Sequence, residues 1–324
     1  MLKILIITQG LSRIVTPLVT SQHNVVAVLE SAPRGARPGW PWRLLGRLRS
    51  KVAKAFFAVD NLQDYCRAEG IAYRMLYSSQ DPGLPEWVNR FAPDLIVVHS
   101  MSQLLSKSIY SLPRLGAINL HPSLLPKYRG PNPDFWHYYD VDLTPGVTVH
   151  YIDEGEDTGD ILAQGFINVP LGIKSPDRSQ RLISEVGVRL LLQTLDALNA
   201  GTATRQPQPV HVSNRRARNL RAEEHATIIE WQQWPVERVW NVLRGTEQWL
   251  NAIAQPGGVY TGQRWSVGDY HVASTGQFQP GEVYRHEGHF RVACKEGYIS
   301  LTRTFHLKFL LIHIVTRLLK QVAR

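Results

Sequence analysis

Residues 115–161 read LGAINLHPSLLPKYRGPNPDFWHYYDVDLTPGVTVHYIDEGEDTGDI. A strand-like run ends in Asn119 and His121, and a loop rich in Pro and Gly follows. A second strand-like run, residues 146–152, opens into an acidic loop that holds Asp157. One amide, one imidazole and one carboxylate thus leave strand ends beside loops. Asn119 and His121 stand two apart, so on a strand their side chains share a face. A positioned imidazole takes a proton from an attacking amine or gives one to a departing nitrogen. An amide NH2 beside it donates to an oxyanion forming on a carbonyl. A carboxylate such as Asp157 sets the imidazole's protonation or orders a water. The set suits acyl transfer to nitrogen without a covalent enzyme intermediate. No Ser lies in a nucleophile-elbow pattern, and neither cysteine is near. On residue types alone, the same Asn and His also serve as turn residues that cap a strand.

Outward from this stretch, short apolar runs alternate with helical patterns. Residues 2–8, 24–29, 71–76 and 95–99 read as strands of the buried type. Helices are predicted at 60–69, 85–91 and 179–198, the last ended by Ala200-Gly201. A further strand is expected at 166–169. The alternation predicts an α/β domain with a Rossmann-like parallel sheet. No GxGxxG motif occurs, so a dinucleotide site is not expected. The loop 100–105 leaves the carboxyl end of a strand, where open α/β sheets bind ligands.

The stretch resembles the folate-dependent formyltransferase family, which includes glycinamide ribonucleotide, methionyl-tRNA and sugar-nucleotide N-formyltransferases. Its Asn-x-His-x-Ser-Leu-Leu-Pro signature stands here as Asn119 to Pro126, and its Asp-x-Gly signature as Asp157-Thr158-Gly159. The resemblance covers roughly the first 200 residues and continues more weakly beyond. It implies 10-formyltetrahydrofolate as formyl donor, no metal, and Asn119, His121 and Asp157 as the catalytic trio. It also implies that a pteridine is held by the loop with Ser102, Gln103, Leu104 and Leu105, and by Asp153, Gly155 and Glu156, chiefly through backbone groups. Arg129 and Gly130 match the family, and Asn132 to Trp136 looks like its sugar-nucleotide branch. Arg129, Gly130, Asn132 and Trp136 are therefore expected at the acceptor. The acceptor expected is a nucleotide-linked amino sugar bound for a surface polysaccharide, with methionyl-tRNA as the alternative. A hydrolase that releases formate from the same donor, and a non-catalytic protein that binds RNA or a membrane surface, are the readings from other classes.

The chain has 324 residues, enough for two domains, and 44% hydrophobic content supports packed cores. Two cysteines offer neither a disulfide framework nor a zinc cluster, which fits a reducing cytoplasm. The first ten residues read as a strand and not as a signal peptide. The formal net charge is +9, concentrated in three places. Residues 31–54 interleave seven basic residues with Trp40 and Trp42, a pattern for phosphate and base contact, for a solvated helix or for a patch on an anionic lipid surface. Arg215, Arg216, Arg218 and Arg221 lie in a linker. Residues 305–324 form a basic amphipathic tail for an anionic membrane, its own domain or a second copy in a homodimer. Four tryptophans stand at 231–249, and short segments with Gly turns follow, predicting a small OB-like β-barrel. The domains expected are 1–204, 205–304 and the tail 305–324.

Overall fold

A computed structural model describes residues 1–33, 61–209, 215–274, 278–307 and 310. Residues 34–54 of the first basic segment, and nearly all of the C-terminal tail, lie outside the described residues. The described chain forms two compact units. The first comprises residues 1–133, 144–167 and 179–217; the second comprises 134–143, 168–178 and 218–324. The chain passes into the second unit for good after Ala217, not near residue 205.

The first unit is built on a seven-stranded sheet. Its strands are β1 Lys3–Thr8, β2 Asn24–Ser31, β3 Ala72–Leu76, β4 Leu95–His99, β5 Ala117–His121, β6 Gly146–Tyr151 and β7 Ile161–Phe166. The order is β3-β2-β1-β4-β5-β6-β7. β1 to β5 pair in parallel. Ile4, Ile6, Leu95 and Val97 face one core layer, and Leu5, Ile7, Ile96 and Val98 the other. Burial on both faces explains why β1 and β4 read as unbroken apolar runs. Strand order reverses between β1 and β4, which places the crevice of an open α/β sheet beside the loop that follows His99.

The sheet is mostly parallel, and only β6 runs against the other strands. β5 pairs with β6, and β6 with β7, antiparallel. The loop from β6 to β7 is too short for the helical crossover that parallel pairing needs. The strand expected at 166–169 is instead β7, and Phe166 ends it, 61% exposed. Half-exposed and carrying Gln164, this edge strand gives no apolar run to read. The helix expected at 179–198 starts earlier. It runs through Ser175–Ser179, a widened helical turn Gln180–Gly187 and Val188–Ala200, and closes on Gly201 at φ 71°. Burial pushes the Cys66 thiol up to about 11 and the Cys294 thiol up to about 12, so both free cysteines are unreactive.

In the second unit a helix, Val236–Gly245, lies against a four-stranded antiparallel sheet. The strands are β8 Trp265–Val272, β9 Val283–His286, β10 His289–Cys294 and β11 Gly297–Arg303, in the order β8-β11-β10-β9. This is the small antiparallel sheet of a separate C-terminal domain, with β8 and β9 at its two ends among the described residues. Trp240 Nε1 donates to Gly268 O at 2.6 Å, and Arg244 reaches Gly172 O and Val267 O. Phe135, Trp136, Tyr139, Trp234 and Trp249 stack edge-on into an aromatic core.

Gly146 opens β6 under Leu124, and a Cβ there would lie 2.1 Å from the Leu124 side chain and 2.9 Å from Gly165 O. Gly146→Ala is expected to cost about 1–3 kcal/mol, read as a lower urea midpoint at unchanged slope.

Candidate active site

The signature after β5 works first as a folding device. Ser123 is fully buried, and its Oγ donates to Lys127 O at 2.7 Å. Thr148 of β6 donates to Ser123 O at 2.7 Å and accepts from Leu125 N at 3.1 Å. The turn, with a cis Leu125–Pro126 peptide, carries Tyr128 back over the strand end at φ 57°. Tyr128 O then accepts from His121 Nε2 at 3.0 Å. A carbonyl can only accept, so Nε2 carries the proton and Nδ1 keeps its lone pair. Nδ1 faces Asp157 Oδ2 at 3.5 Å.

Asp157 comes from the loop after β6, in the left-handed region at φ 55°. Its Oδ2 accepts from Gly130 N at 2.9 Å. Its Oδ1 lies 3.4 Å from Asn119 Nδ2 and 3.5 Å from His150 Nε2. Burial alone would raise this carboxyl, but His121, His150 and the Gly130 N–H overcome it and hold it well below the usual carboxylate range. The His121 ring is buried, which lowers its basicity more than nearby Asp157 raises it. His121 therefore stands neutral with a free lone pair, and a proton gained at Nδ1 would meet Asp157. That is the arrangement of a general base.

His150 was not singled out in the sequence. It stands directly across from Asn119 in the β5–β6 register. Its Nδ1 donates to Tyr151 O at 2.8 Å, so Nε2 accepts from Asn119 Nδ2 at 3.2 Å. Both amide hydrogens of Asn119 thus have partners. To donate to an oxyanion, Asn119 must release one, and the 3.4 Å contact with Asp157 is the weaker. Only the strand register reveals His150, and one sequence does not print it.

Other expected residues hold the loops. Ser102 Oγ donates to Ala32 O at 2.7 Å, and Gln103 Oε1 accepts from Ser79 N at 2.8 Å. Leu105 is in the core, whereas Leu104 is 61% exposed. Asp153 accepts from Gly155 N at 3.0 Å and from Thr158 Oγ1 at 2.6 Å. Glu156 forms a two-pronged pair with Arg216. Asn132 N donates to Ala217 O at 2.8 Å. Arg129 reaches Gln208 Oε1 at 3.2 and 2.7 Å.

Two family models, described as "Formyl transferase" and "Formyl transferase, C-terminal domain", match residues 48–195 and 221–306. The chain is 30% identical over 295 residues to the methionyl-tRNA formyltransferase of Lachnospira eligens, covering 87% of this chain and 84% of that protein. The chain belongs to the formyl transferase family. It is 40% identical over 166 residues to the methionyl-tRNA formyltransferase of Syntrophus aciditrophicus, spanning 51% of this chain and about half of that protein, 52%. The fold is also that of an N-formyltransferase from Helicobacter canadensis, solved with folinic acid and dTDP-3-aminofucose. That likeness has a TM-score of 0.60 at 15% identity and covers 94% of this chain and all of the other.

One residue expected at the acceptor, Trp136, is packed in a core. Trp136 belongs to the second unit, is 3% exposed and donates from Nε1 to Arg218 O at 2.8 Å. Its rings pack on Phe135 and Tyr139, so it offers no open face to a sugar. Asp134 is likewise engaged, by Ser175 Oγ and Arg178. The helical spacing that brings Phe135, Trp136 and Tyr139 together outweighs the likeness to the sugar branch. The linker arginines are paired as well: Arg216 with Glu156, Arg218 with Glu224, and Arg221 with Glu223 and Glu224.

The buried histidines set a pH dependence. Burial lowers the folded pKa of His121 and of His99, whose Nδ1 donates to Leu120 O. Below about pH 6.5 the unfolded chain binds protons that the folded one refuses, so stability falls as pH falls. Asp157, held low, contributes stability above about pH 4 and loses it only further into acid. Urea unfolding between about pH 7.5 and pH 5 is therefore expected to show a falling midpoint, with a shallower fall in His121→Gln. An equal fall in both proteins would contradict a neutral, buried His121.

Proposed function

We propose that this chain moves a formyl group from 10-formyltetrahydrofolate to a primary amine, and that the amine is the α-amino group of methionyl-tRNA. The observation that carries the acceptor is the likeness to the Lachnospira protein over 84% of that protein's length. The observation that carries the reaction is the neutral His121 with its lone pair on Asp157 and the amide of Asn119 beside it. The burial of Trp136 takes away the side chain that spoke for an amino-sugar nucleotide, which becomes the second arm of the test.

The residues present fit the donor. Ser102, Gln103 and Asp153 use their side chains to fix their own loops, and Leu104 stands exposed between them in sequence. Fixed peptide groups with an apolar side chain suit a planar heterocycle with amide edges. The bound donor supplies an activated formyl carbon and departs as tetrahydrofolate. The chain does the rest. His121 Nδ1 takes the proton that the amine sheds as its C–N bond forms, and returns one to the departing nitrogen. Asp157 Oδ2 stabilises the imidazolium between these transfers. Asn119 Nδ2 turns from Asp157 to the oxygen that becomes negative.

His121→Ala is expected to lower kcat by about 10²–10⁴-fold, and Asn119→Ala by about 10²–10³-fold, with the fold intact by circular dichroism. Near-normal turnover in a folded His121→Ala protein would end this mechanism. For the acceptor, tetrahydrofolate release would be followed with charged initiator methionyl-tRNA and, separately, with uridine- and thymidine-diphosphate amino sugars. Release with the tRNA is expected. Release only with a sugar would restore the sugar reading, release without any acceptor would point to hydrolysis, and no release at all would point to a non-catalytic role.

A further inference from the structure

The linker that leaves the first unit is laced to both loops of the active site. Gln206 pairs with Ile161 through both backbone bonds, at 2.8 and 2.9 Å. Ala217 N donates to Arg129 O at 2.7 Å, and Ala217 O accepts from Asn132 N at 2.8 Å. Arg216 holds Glu156. Between these ties stands Gln208, half-buried, with its carboxamide fully engaged. Oε1 accepts from Arg129 Nε and Nη2 at 3.2 and 2.7 Å. Nε2 donates to Asp157 O at 3.1 Å and to Gly159 O at 2.7 Å. Two lone-pair sites and two N–H groups are all a carboxamide has.

We propose that Gln208 is a positioning residue for formyl transfer: a side chain of the linker that clamps Asp157 in place against His121. Asp157 is not glycine, yet its backbone is left-handed at φ 55°. Such a conformation lasts only where its surroundings hold it. The Gln206 pairing is backbone alone and does not depend on a side chain. The Arg216–Glu156 pair has 58% of the Arg216 side chain exposed, and surface pairs of this kind hold little. Gln208 is the linker side chain that touches Asp157 itself. Through Arg129 it also ties the Asp157 loop to the turn that supplies Gly130 N, the donor to Asp157 Oδ2. Loss of the clamp lets the carboxylate drift from Nδ1 and loosens the Gly130 bond. The loop 100–105 is untouched, and Asp153 holds its own turn through Gly155 N and Thr158 Oγ1, so the effect falls on the rate more than on donor binding.

The kinetic consequence rests on the formyl-transfer reading; the structural one does not. Gln208→Glu keeps the acceptor for Arg129 but sets an oxygen against two carbonyls, and Gln208→Ala removes both halves. Each is expected to lower kcat by about 10–100-fold with the donor KM changed less than about twofold. In the Asp157→Asn background, Gln208→Ala is expected to add less than about twofold, since it acts through that carboxylate. Hydrogen exchange gives a readout free of activity. The Gly130 amide is expected to exchange about tenfold faster or more in both variants, with the amides of β1 and β4 unchanged. Unchanged Gly130 exchange, exchange accelerated throughout the core, or a kcat loss that multiplies in full on Asp157→Asn would each overturn the proposal. If wild-type protein formylates neither acceptor, the exchange experiment still decides the clamp, and the functional reading alone has failed.

Discussion

A carboxylate with little water around it must be held by something else, and in this protein that carboxylate is Asp157. Burial works against its charge; two imidazoles and one peptide N–H more than offset it. Each of these groups comes from a different piece of chain. His121 ends β5, His150 lies on β6, and Gly130 follows the turn that Ser123 and Thr148 fold. The close pairing of β5 with β6, the buried hydroxyls under the turn and the left-handed backbone at Asp157 all become requirements of one charge. The neutral state of His121 belongs to the same balance. A ring less buried, or a carboxylate nearer, would hold a proton more readily and serve less well as a base.

Much of this was legible in one sequence because it is local. Asn119 and His121 share a face by strand alternation, and Asp157 follows a strand by the same pattern. The apolar runs of β1 and β4 announced a sheet covered on both sides. What stayed hidden depends on pairings between distant positions. His150 becomes part of the site only through the register that sets it across from Asn119. Gln208 reaches Asp157 from 51 residues away. β7 is a half-exposed edge strand interrupted by Gln164 and Gly165, and it does not look like a strand until β6 lies beside it. Trp136 follows the signature and so looks like a binding aromatic in sequence, but its partners Phe135 and Tyr139 make it part of a core.

Charge shows the same limit of composition. A sequence with a formal net charge of +9 invites an anionic partner. Yet the linker arginines at 216, 218 and 221 meet Glu156, Glu223 and Glu224. Two of those acids lie within six positions in the chain, and Glu156 lies sixty away. Counting cations along a sequence measures what a surface offers only when the acids that fold back onto them are known.

Gly159 ends the Asp-x-Gly signature, and any Cβ at that place would stand 2.0 Å from the carbonyl oxygen of Tyr151. That glycine is imposed by the tightness of the hairpin and takes no part in proton transfer. A descendant of this chain that had lost its catalysis would still need it in order to fold. The two residues that bound this short motif therefore carry different information: the aspartate reports chemistry, while the glycine reports only shape and can outlast the chemistry beside it.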